Sequence, residues 1–297
     1  MRMQDFRFGV EVETTGALRG KIAEAIKSVV GGTVRHVGGA YDAWECTAMD
    51  GKKWKVVHDG SLIDAPMALR AEVVSPILVW DDIPQLQEVV RAVRRTGANA
   101  TNSCSVHYHV EKAPFNAKQL ANLVKIVYKQ EKLLIHAFNI RPERLARYTQ
   151  PTDPRVIENI ERNKPRTMEE LNRAWYGTYN PAPGHYDPSR YHILNLNPVF
   201  NGQTFEVRAS NGTLHSGKIR AGLVLCLALA AKALKSRAAS SQQRPYNEAS
   251  AKYDLRVFLV SGLGMIGDEF KNVRKHLLAN MPGDAAFKTP RRQTVTA

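Results

Sequence analysis

FRFGVEVETTG, residues 6–16, is the stretch that decides the fold, because alternation separates its apolar side chains from its charged ones. A β-strand repeats every two residues, so the phenylalanine and valine side chains would face a core while Glu11 and Glu13 share the opposite surface. Two carboxylates on one face repel each other unless a cation lies between them. The pattern therefore predicts a strand with a divalent metal ion or a basic partner on its polar face. A strand whose glutamates simply face water is the alternative.

Composition indicates a globular chain that favours anionic partners. The chain has 297 residues, is 43% hydrophobic and carries a formal net charge of +14. Its length alone would allow about two domains. The charge favours nucleotides, acidic peptides or nucleic acid as partners. The basic residues are scattered, apart from short groups such as Arg94-Arg95 and Arg291-Arg292, so the sequence does not indicate a dedicated nucleic-acid arm.

The cysteines and the longest apolar segments indicate in which cellular compartment the protein is expected. Cys46, Cys104 and Cys226 show no paired spacing, which argues against a disulfide framework or a thiolate zinc site and favours a reducing environment. The first residues lack an apolar core of signal-peptide length, and the longest apolar run, residues 221–231, is too short to cross a bilayer. We therefore expect a soluble, cytoplasmic protein.

Hydrophobic periodicity predicts further elements along the chain. Helices are predicted at residues 17–30, 83–95, 116–138 and 216–235, with two shorter helices near the C-terminus. Strands are predicted at residues 44–46, 53–57, 68–78, 105–110, 190–198 and 203–210, the last two joined as a hairpin by Asn201-Gly202. Residues 141–189 are weakly patterned, with one short helix near 168–175, which is typical of a lid, a substrate loop or disorder. Paired strands with helices between them favour an α+β domain.

Three other predicted strands also place apolar side chains on one face and polar side chains on the other, as the first strand does. His107 and His109 share one side of a strand, Glu206 and Arg208 share one side of another, and Glu72 lies in the middle of a third. Taken singly, such residues are more often hydrogen-bonded core histidines or cross-strand salt bridges. If their faces belong to one sheet, however, they form a pocket of carboxylates, histidines and an arginine. That composition suits divalent cations and phosphate. Since the sequence contains no GxxxxGK[ST] loop, metal ions and side chains would have to hold the phosphate.

Six stretches occur in the order seen in the amidoligase family, which is similar to the superfamily of glutamine synthetase and glutamate–cysteine ligase. They are FGVEVE (8–13), DGSL (59–62), AEVVSPIL (71–78), VHYHV (106–110), RYHILNLNP (190–198) and FEVRASNGTL (205–214). The resemblance spans about residues 6–234, and FEVRASNGTL combined with the first-strand glutamates is its most specific part. One departure is Cys104-Ser105, where the family often has Gly-Leu before its His-x-His.

The resemblance implies a glutamine synthetase-like α+β fold. Its sheet would be curved and mainly antiparallel, with helices on the convex side and with ATP and Mg²⁺, or alternatively Mn²⁺, on the concave face. The implied organisation is an amidoligase-like catalytic domain at residues 1–236, a linker at 237–249, helices packing on the same domain at 250–281 and a disordered tail at 282–297.

The resemblance also implies a role for each site residue. The implied metal ligands are Glu11, Glu13, Glu72, Glu206 and His109. The implied cofactor-binding residues are His107, His109, Arg190, Asn195 and Arg208. The implied catalytic residues are Glu13, Glu206 and Arg208, with Arg208 as the phosphate clamp. Arg190 and Asn195 are also candidates for the acyl substrate, with a strand-end salt bridge and a turn cap as the alternatives. Glu131, on the long helix, is a further candidate match to a family glutamate, with a tolerated polar residue as the alternative.

The reaction that the resemblance implies is ATP-dependent joining of a carboxylate to an amine through an acyl phosphate, giving a peptide or isopeptide bond. The implied partners are ATP, an acidic small molecule or a peptide or protein carboxylate, and an amine. We expect neither a membrane nor a nucleic acid as a partner, and an oligomer is compatible with the sequence.

Three other functions are open at this point. A cupin-like metal-dependent oxygenase or hydrolase would use His107, His109 and a glutamate, but it leaves Glu11-x-Glu13 unexplained. A basic nucleic-acid-binding protein is supported by the charge alone. A nucleophile pair of Cys104 with His107 is the third, and a small packing residue is the alternative role for Cys104.

Overall fold

The computed structural model describes residues 1–184 and 186–289, and these residues form an eight-stranded sheet. The strands are β1 (Phe8–Thr14), β2 (Thr33–Gly38), β3 (Ala43–Thr47), β4 (Lys53–Val57), β5 (Ala71–Val74), β6 (Ser105–Glu111), β7 (Leu194–Asn195) and β8 (Thr204–Asn211). Their order across the sheet is β2-β3-β4-β5-β1-β6-β8-β7, and the paired strands are antiparallel. The predicted α+β class with a curved, mainly antiparallel sheet is confirmed. The predicted tail at 282–297 lies partly outside the described residues, which end at Thr289.

The helices connect the strands and build the core. They are α1 (Arg19–Val30), α2 (Ile83–Arg95), α3 (Ala117–Ala137), α4 (Pro142–Arg147), α5 (Pro154–Asn163), α6 (Met168–Tyr176), α7 (Asn197–Asn201), α8 (Ser216–Lys235), α9 (Ala251–Val257) and α10 (Lys271–Leu278). Helix α1 contacts β3 and β4, α8 contacts β6, and α2 packs against both α1 and α8. Within the described ranges, no helix combines the length and hydropathy needed to cross a membrane.

The alternation predicted for β1 sets which face of the sheet is apolar. Phe8, Val10 and Val12 are buried, with exposed fractions of 2%, 2% and 3%. Val10 and Val12 line the same small apolar space as Leu86 and Val89 of α2. The main helices therefore cover this face, and Glu11 and Glu13 lie on the other one.

Residues 33–38 form β2, a strand that periodicity does not predict. This strand lies at one end of the sheet order, and most of its side chains are exposed. An edge strand of this kind has no buried side to generate an alternating pattern. The predicted stop of α1 just before it is confirmed, because Gly31 and Gly32 have φ values of 71° and 82°. A Cβ on Gly32 would lie 1.9 Å from the Thr47 carbonyl oxygen.

Residues 141–189 are not the long loop that the sequence predicts. Helices α4, α5 and α6 occupy much of this segment. They are short, and their buried side chains include Ile157, Ile160, Leu171 and Trp175, with α5 and α6 contacting α3. Each of these helices is too short to show a clear helical repeat of apolar residues. Short helices are stabilised mainly by tertiary packing, which the local sequence does not reveal.

Two predicted strands are shorter than expected. The strand predicted at 190–198 is reduced to Leu194–Asn195, because the backbone just before it pairs with Gln150 instead. Helix α7, and not a two-residue turn at Asn201-Gly202, connects it to β8. The strand predicted at 68–78 is reduced to Ala71–Val74, since residues 67–69 form a 3-10 turn.

Candidate active site

Polar side chains from neighbouring strands meet on the sheet face opposite the one that the main helices cover, and most of them are buried. The residues are Glu11 and Glu13 on β1, Glu72 on β5, His107 and His109 on β6, Asn195 on β7, and Glu206 and Arg208 on β8. The cross-strand pairs that bring them together are Glu13 with Glu72, Glu11 with His107, His109 with Glu206, and Asn195 with Glu206. The predicted meeting of these faces is therefore present. We call these eight residues the carboxylate cluster.

Glu206 and Arg208 form a buried ion pair within the cluster. Since they are two residues apart on β8, their side chains share one face, and Arg208 Nη1 donates to Glu206 Oε1 at 2.5 Å. Asn195 Nδ2 donates to Glu206 Oε2 at 2.6 Å. Burial would raise the pKa of Glu206, but the charges of Arg208, His107 and His109 together outweigh it and lower the pKa to about 2. Burial would likewise lower the pKa of Arg208, yet the carboxylates of Glu206, Glu13 and Glu11 together raise it, so both groups are charged.

The two histidines of β6 converge on Glu11. His107 Nδ1 lies 3.3 Å from Glu11 Oε2, and His109 Nε2 also lies 3.3 Å from that oxygen. Burial would raise the pKa of Glu11, but the imidazoles, His109 first, outweigh it and hold the pKa well below its usual value. Burial would lower the pKa of His109, and the Glu11 carboxylate instead raises it to about 9. Without a metal ion, protonated imidazole therefore supplies the positive charge beside Glu11.

Glu13 and Glu72 lie side by side in different surroundings. The Ser105 backbone N–H donates to Glu13 Oε2 at 2.7 Å. Among the described contacts, Glu72 has no hydrogen-bond or ion-pair partner. Burial, followed by the charges of Glu11, Glu13 and Asp59, raises the pKa of Glu72 well above its usual value. A proton or a metal ion would relieve this repulsion.

The donor atoms of the cluster fit a divalent cation. Potential ligand atoms lie within 4.8 Å of one another in three overlapping groups: Glu11 with Glu72 and His107, Glu11 with His109 and Glu206, and Glu13 with Asp59 and Glu72. In addition, His109 Nε2 is buried and, although it lies 3.3 Å from Glu11 Oε2, it makes no well-aligned hydrogen bond among the described residues. A buried nitrogen without a partner is costly unless it is used for binding. Carboxylate oxygens suit Mg²⁺, and the added imidazole nitrogen is compatible with Mn²⁺.

Two residues that the sequence analysis left without a role lie at the cluster. Asp59 joins one of the candidate ligand groups, and its only sequence signal is its place in the DGSL stretch. Arg144 of α4 is buried, and its Nη2 donates to the Arg208 carbonyl at 3.4 Å. The Nε atoms of both Arg144 and Arg208 are buried without a hydrogen-bond partner in the described part of the chain. Burial lowers the pKa of Arg144, opposed by the charge of Glu13. No pattern indicated Arg144, because the segment that carries it reads as a loop.

Arg190 and Glu131 are placed differently from the cluster residues. The Arg190 guanidinium lies over Tyr191 and Tyr186, 5.6 Å and 5.8 Å from the ring centroids, and its described contacts do not reach the carboxylates. Glu131 Oε1 accepts hydrogen bonds from the backbone N–H and the hydroxyl of Thr152, both at 2.7 Å. Glu131 thus anchors the chain after α4 to α3, and the substrate role of Arg190 stays a prediction.

The structure does not support Cys104 as a nucleophile. The predicted absence of disulfides is confirmed, because Cys46, Cys104 and Cys226 are all free and buried. Burial raises the pKa of the Cys104 thiol, which therefore stays protonated. The thiol contacts Thr101 Oγ1 at 3.4 Å, and His107 Nε2 contacts Ser105 Oγ at 2.8 Å. Cys104 is a packing residue.

Glu72→Gln is expected to stabilise the metal-free protein. The pKa of Glu72 is raised in the folded state, so its contribution to stability is full below the ordinary value of 4.5 and is lost as the pH rises through the folded-state pKa. Removing the charge should raise the melting temperature at neutral pH in EDTA by about 2–4 °C, or ~1 kcal/mol. The exposed Glu158→Gln is the matched control. A lower melting temperature for Glu72→Gln at neutral pH would contradict the repulsion.

The fold and the site define an α+β protein that gathers carboxylates, histidines and an arginine on the sheet face opposite its main helices. The chain belongs to the family described as "putative amidoligase enzyme", whose family model matches residues 4–230. The predicted resemblance is thereby confirmed, and membership supports a ligase that forms amide bonds. No curated protein matches the chain.

Proposed function

We propose that this protein is an ATP-dependent carboxylate–amine ligase that forms an amide bond through an acyl phosphate. Family membership supports amide-bond formation. The observation that carries the dependence on metal and ATP is the position of Glu11. It belongs to two of the three candidate ligand groups, and its Oε2 lies 3.3 Å from the buried His109 Nε2, a second potential ligand atom.

The cluster residues would hold the metal ion. The proposed ligands are Glu11, Glu13, Glu72, Glu206 and His109, as the family resemblance implies, together with Asp59. When bound, Mg²⁺ or Mn²⁺ would offset the negative charge on the phosphates of ATP. Asn195 would keep Glu206 oriented through the 2.6 Å hydrogen bond that it donates. His107 would support Glu11 in the same way through its Nδ1, 3.3 Å away.

The proposed reaction has two steps, phosphoryl transfer and amide formation. In the first step, an oxygen of the substrate carboxylate attacks the γ-phosphorus of ATP, the bond to the ADP oxygen breaks, and ADP leaves. In the second step, the amine nitrogen attacks the carbonyl carbon of the acyl phosphate, the C–O bond breaks, and inorganic phosphate leaves. The amine loses a proton, for which Glu13 is the proposed acceptor because Ser105 binds only its Oε2. Arg208 stabilises the transferring phosphoryl group.

The architecture argues against the cupin-like alternative. Cupins are double-sheet jelly rolls. The sheet of the described residues instead has a linear strand order with an edge at β2 and another at β7. A metal-dependent oxygenase or hydrolase of that type would also leave the buried Glu206–Arg208 pair without a role.

Titration calorimetry tests the proposal. Binding of ATP is expected in Mg²⁺ and is expected to be lost in EDTA, because the carboxylates repel the phosphates once the metal ion is removed. Mass spectrometry of ADP and of a new amide, with acidic peptides and amino acids as substrates, then tests the reaction. Equal ATP affinity with and without the metal, or no binding in either, would contradict a metal-bridged nucleotide site.

A further inference from the structure

A row of cross-strand partners runs from the edge strand β2 to the carboxylate cluster. In order across the sheet, the row is Arg35, Glu45, Lys55, Val74, Glu11 and His107. Residues directly opposite each other in a sheet lie on the same face. Arg35 and Lys55 therefore share the face of Glu11, and the surface that they form is continuous with the candidate active site.

We call Arg35, Lys53 and Lys55, with Glu45 between them, the basic strip. The three basic side chains are exposed, and Lys53 Nζ pairs with Glu45 Oε1 at 3.0 Å. The Lys53 hydrogen bond, with the charges of Lys53, Arg35 and Lys55, outweighs burial and lowers the pKa of Glu45. Arg35 and Lys55 have no ion-pair partner of their own among the described residues. The strip therefore presents two basic groups that Glu45 does not fully neutralise.

We propose that the basic strip binds the acidic side chains of an extended peptide whose reacting carboxylate lies at the carboxylate cluster. The inference rests on the proposed function, because that function requires a carboxylate substrate at the cluster. It adds the chemical class of the substrate, an acidic peptide, and the residues that select it. Electrostatic complementarity of this kind sets specificity and association rate.

Strand spacing sets where the acidic side chains should lie in the peptide. Neighbouring strands are about 4.8 Å apart, so Lys55 lies two steps, or about 10 Å, from Glu11 along the row. Arg35 lies four steps, or about 19 Å, from Glu11. An extended peptide advances about 3.3 Å per residue. Since successive side chains of an extended peptide point to opposite faces, the substrate should carry acidic residues about two or four, and about six, positions from the reacting residue.

The composition of the face favours a peptide over a nucleic acid. Single-strand binding surfaces stack bases on aromatic side chains. The aromatic residues of β3 and β4 point to the helices instead, since Trp54 is buried and Trp44 lies against Gly20 of α1. Glu45 in the middle of the strip would repel a continuous row of phosphates, whereas a peptide can place its acidic residues on either side of it.

Fluorescence anisotropy with a labelled acidic peptide tests the inference without any turnover. The peptide carries glutamates two, four and six positions from a C-terminal glutamate, and a second peptide has the same composition with those glutamates moved to odd positions. Arg35→Gln/Lys55→Gln should weaken binding of the first peptide about fivefold or more, because it removes two charge contacts. The matched control is Lys21→Gln/Arg94→Gln, which removes the same charge from exposed positions on α1 and α2. Glu45→Gln should tighten binding, a gain that misfolding cannot produce.

Three results would overturn the inference: equal loss in the two double variants, no loss in either, or no gain with Glu45→Gln. An oligonucleotide of equal charge that binds as tightly as the peptide, and loses affinity in Arg35→Gln/Lys55→Gln, would also overturn it in favour of a nucleic-acid surface. Mg-ATP binding, measured on the same samples, separates the two proposals. Peptide binding to the basic strip without Mg-ATP binding would contradict the proposed function and would support the basic strip as a peptide-binding surface.

Discussion

Arg208→Lys is expected to lower the rate of ADP release about a hundredfold, on the order of 3 kcal/mol, while Mg-ATP still binds. Lysine keeps the charge but lacks the planar donor set of arginine. In the structure, Arg208 Nη1 donates a hydrogen bond to Glu206, whereas Arg208 Nε has no hydrogen-bond partner among the described residues. We infer that the guanidinium holds Glu206 with one nitrogen and a phosphoryl oxygen with the others, which an ammonium group cannot do.

A purely structural role for Arg208 predicts a different result. If Arg208 only paired with Glu206, the substitution would lower the melting temperature and leave turnover per folded molecule unchanged. Melting temperature and ADP release should therefore be measured on the same samples, with the exposed Arg94→Lys as the control. Unaltered ADP release per folded molecule in Arg208→Lys would end the assignment of Arg208 as the phosphate clamp.

Glu11→Gln is expected to weaken Mn²⁺ binding about a hundredfold or more and to abolish metal-dependent turnover. Glu11 is shared by two candidate ligand groups, so its loss removes a ligand from both. Mn²⁺ affinity can be followed by titration calorimetry or by electron paramagnetic resonance. The matched control is Glu111→Gln, which removes a glutamate at the end of β6 whose side chain pairs with Arg7 at 2.9 Å.

The same variant has a second readout that does not depend on metal. The Glu11 carboxylate raises the pKa of His109 to about 9 against burial. In metal-free Glu11→Gln, the His109 pKa should therefore fall, and NMR titration of the imidazole can measure it. Unchanged Mn²⁺ affinity in Glu11→Gln would show that Glu11 is not a ligand, whatever happens to the histidine.

Long amphipathic elements could be predicted from local sequence. The bounds expected for residues 83–95 and 216–235 agree with α2 and α8, and β1 alternates as predicted. Helix and strand periods are local properties, so many turns of one pattern determine both the element and its buried face. Where the pattern was brief, as in α4 to α6, or where neither face was buried, as in β2, periodicity carried too little information.

The polar faces of the strands were determined by sequence alone, because a strand's alternation places Glu11 with Glu13 and Glu206 with Arg208 whatever the strand's neighbours are. Only the tertiary structure decided which faces meet. Strand order and register place His109 opposite Glu206 and connect the basic strip to Glu11, and the fold brings Asp59 and Arg144 to the same cluster. These contacts join residues far apart in the chain. They depend on the packing of the whole sheet against its helices, which no local pattern records.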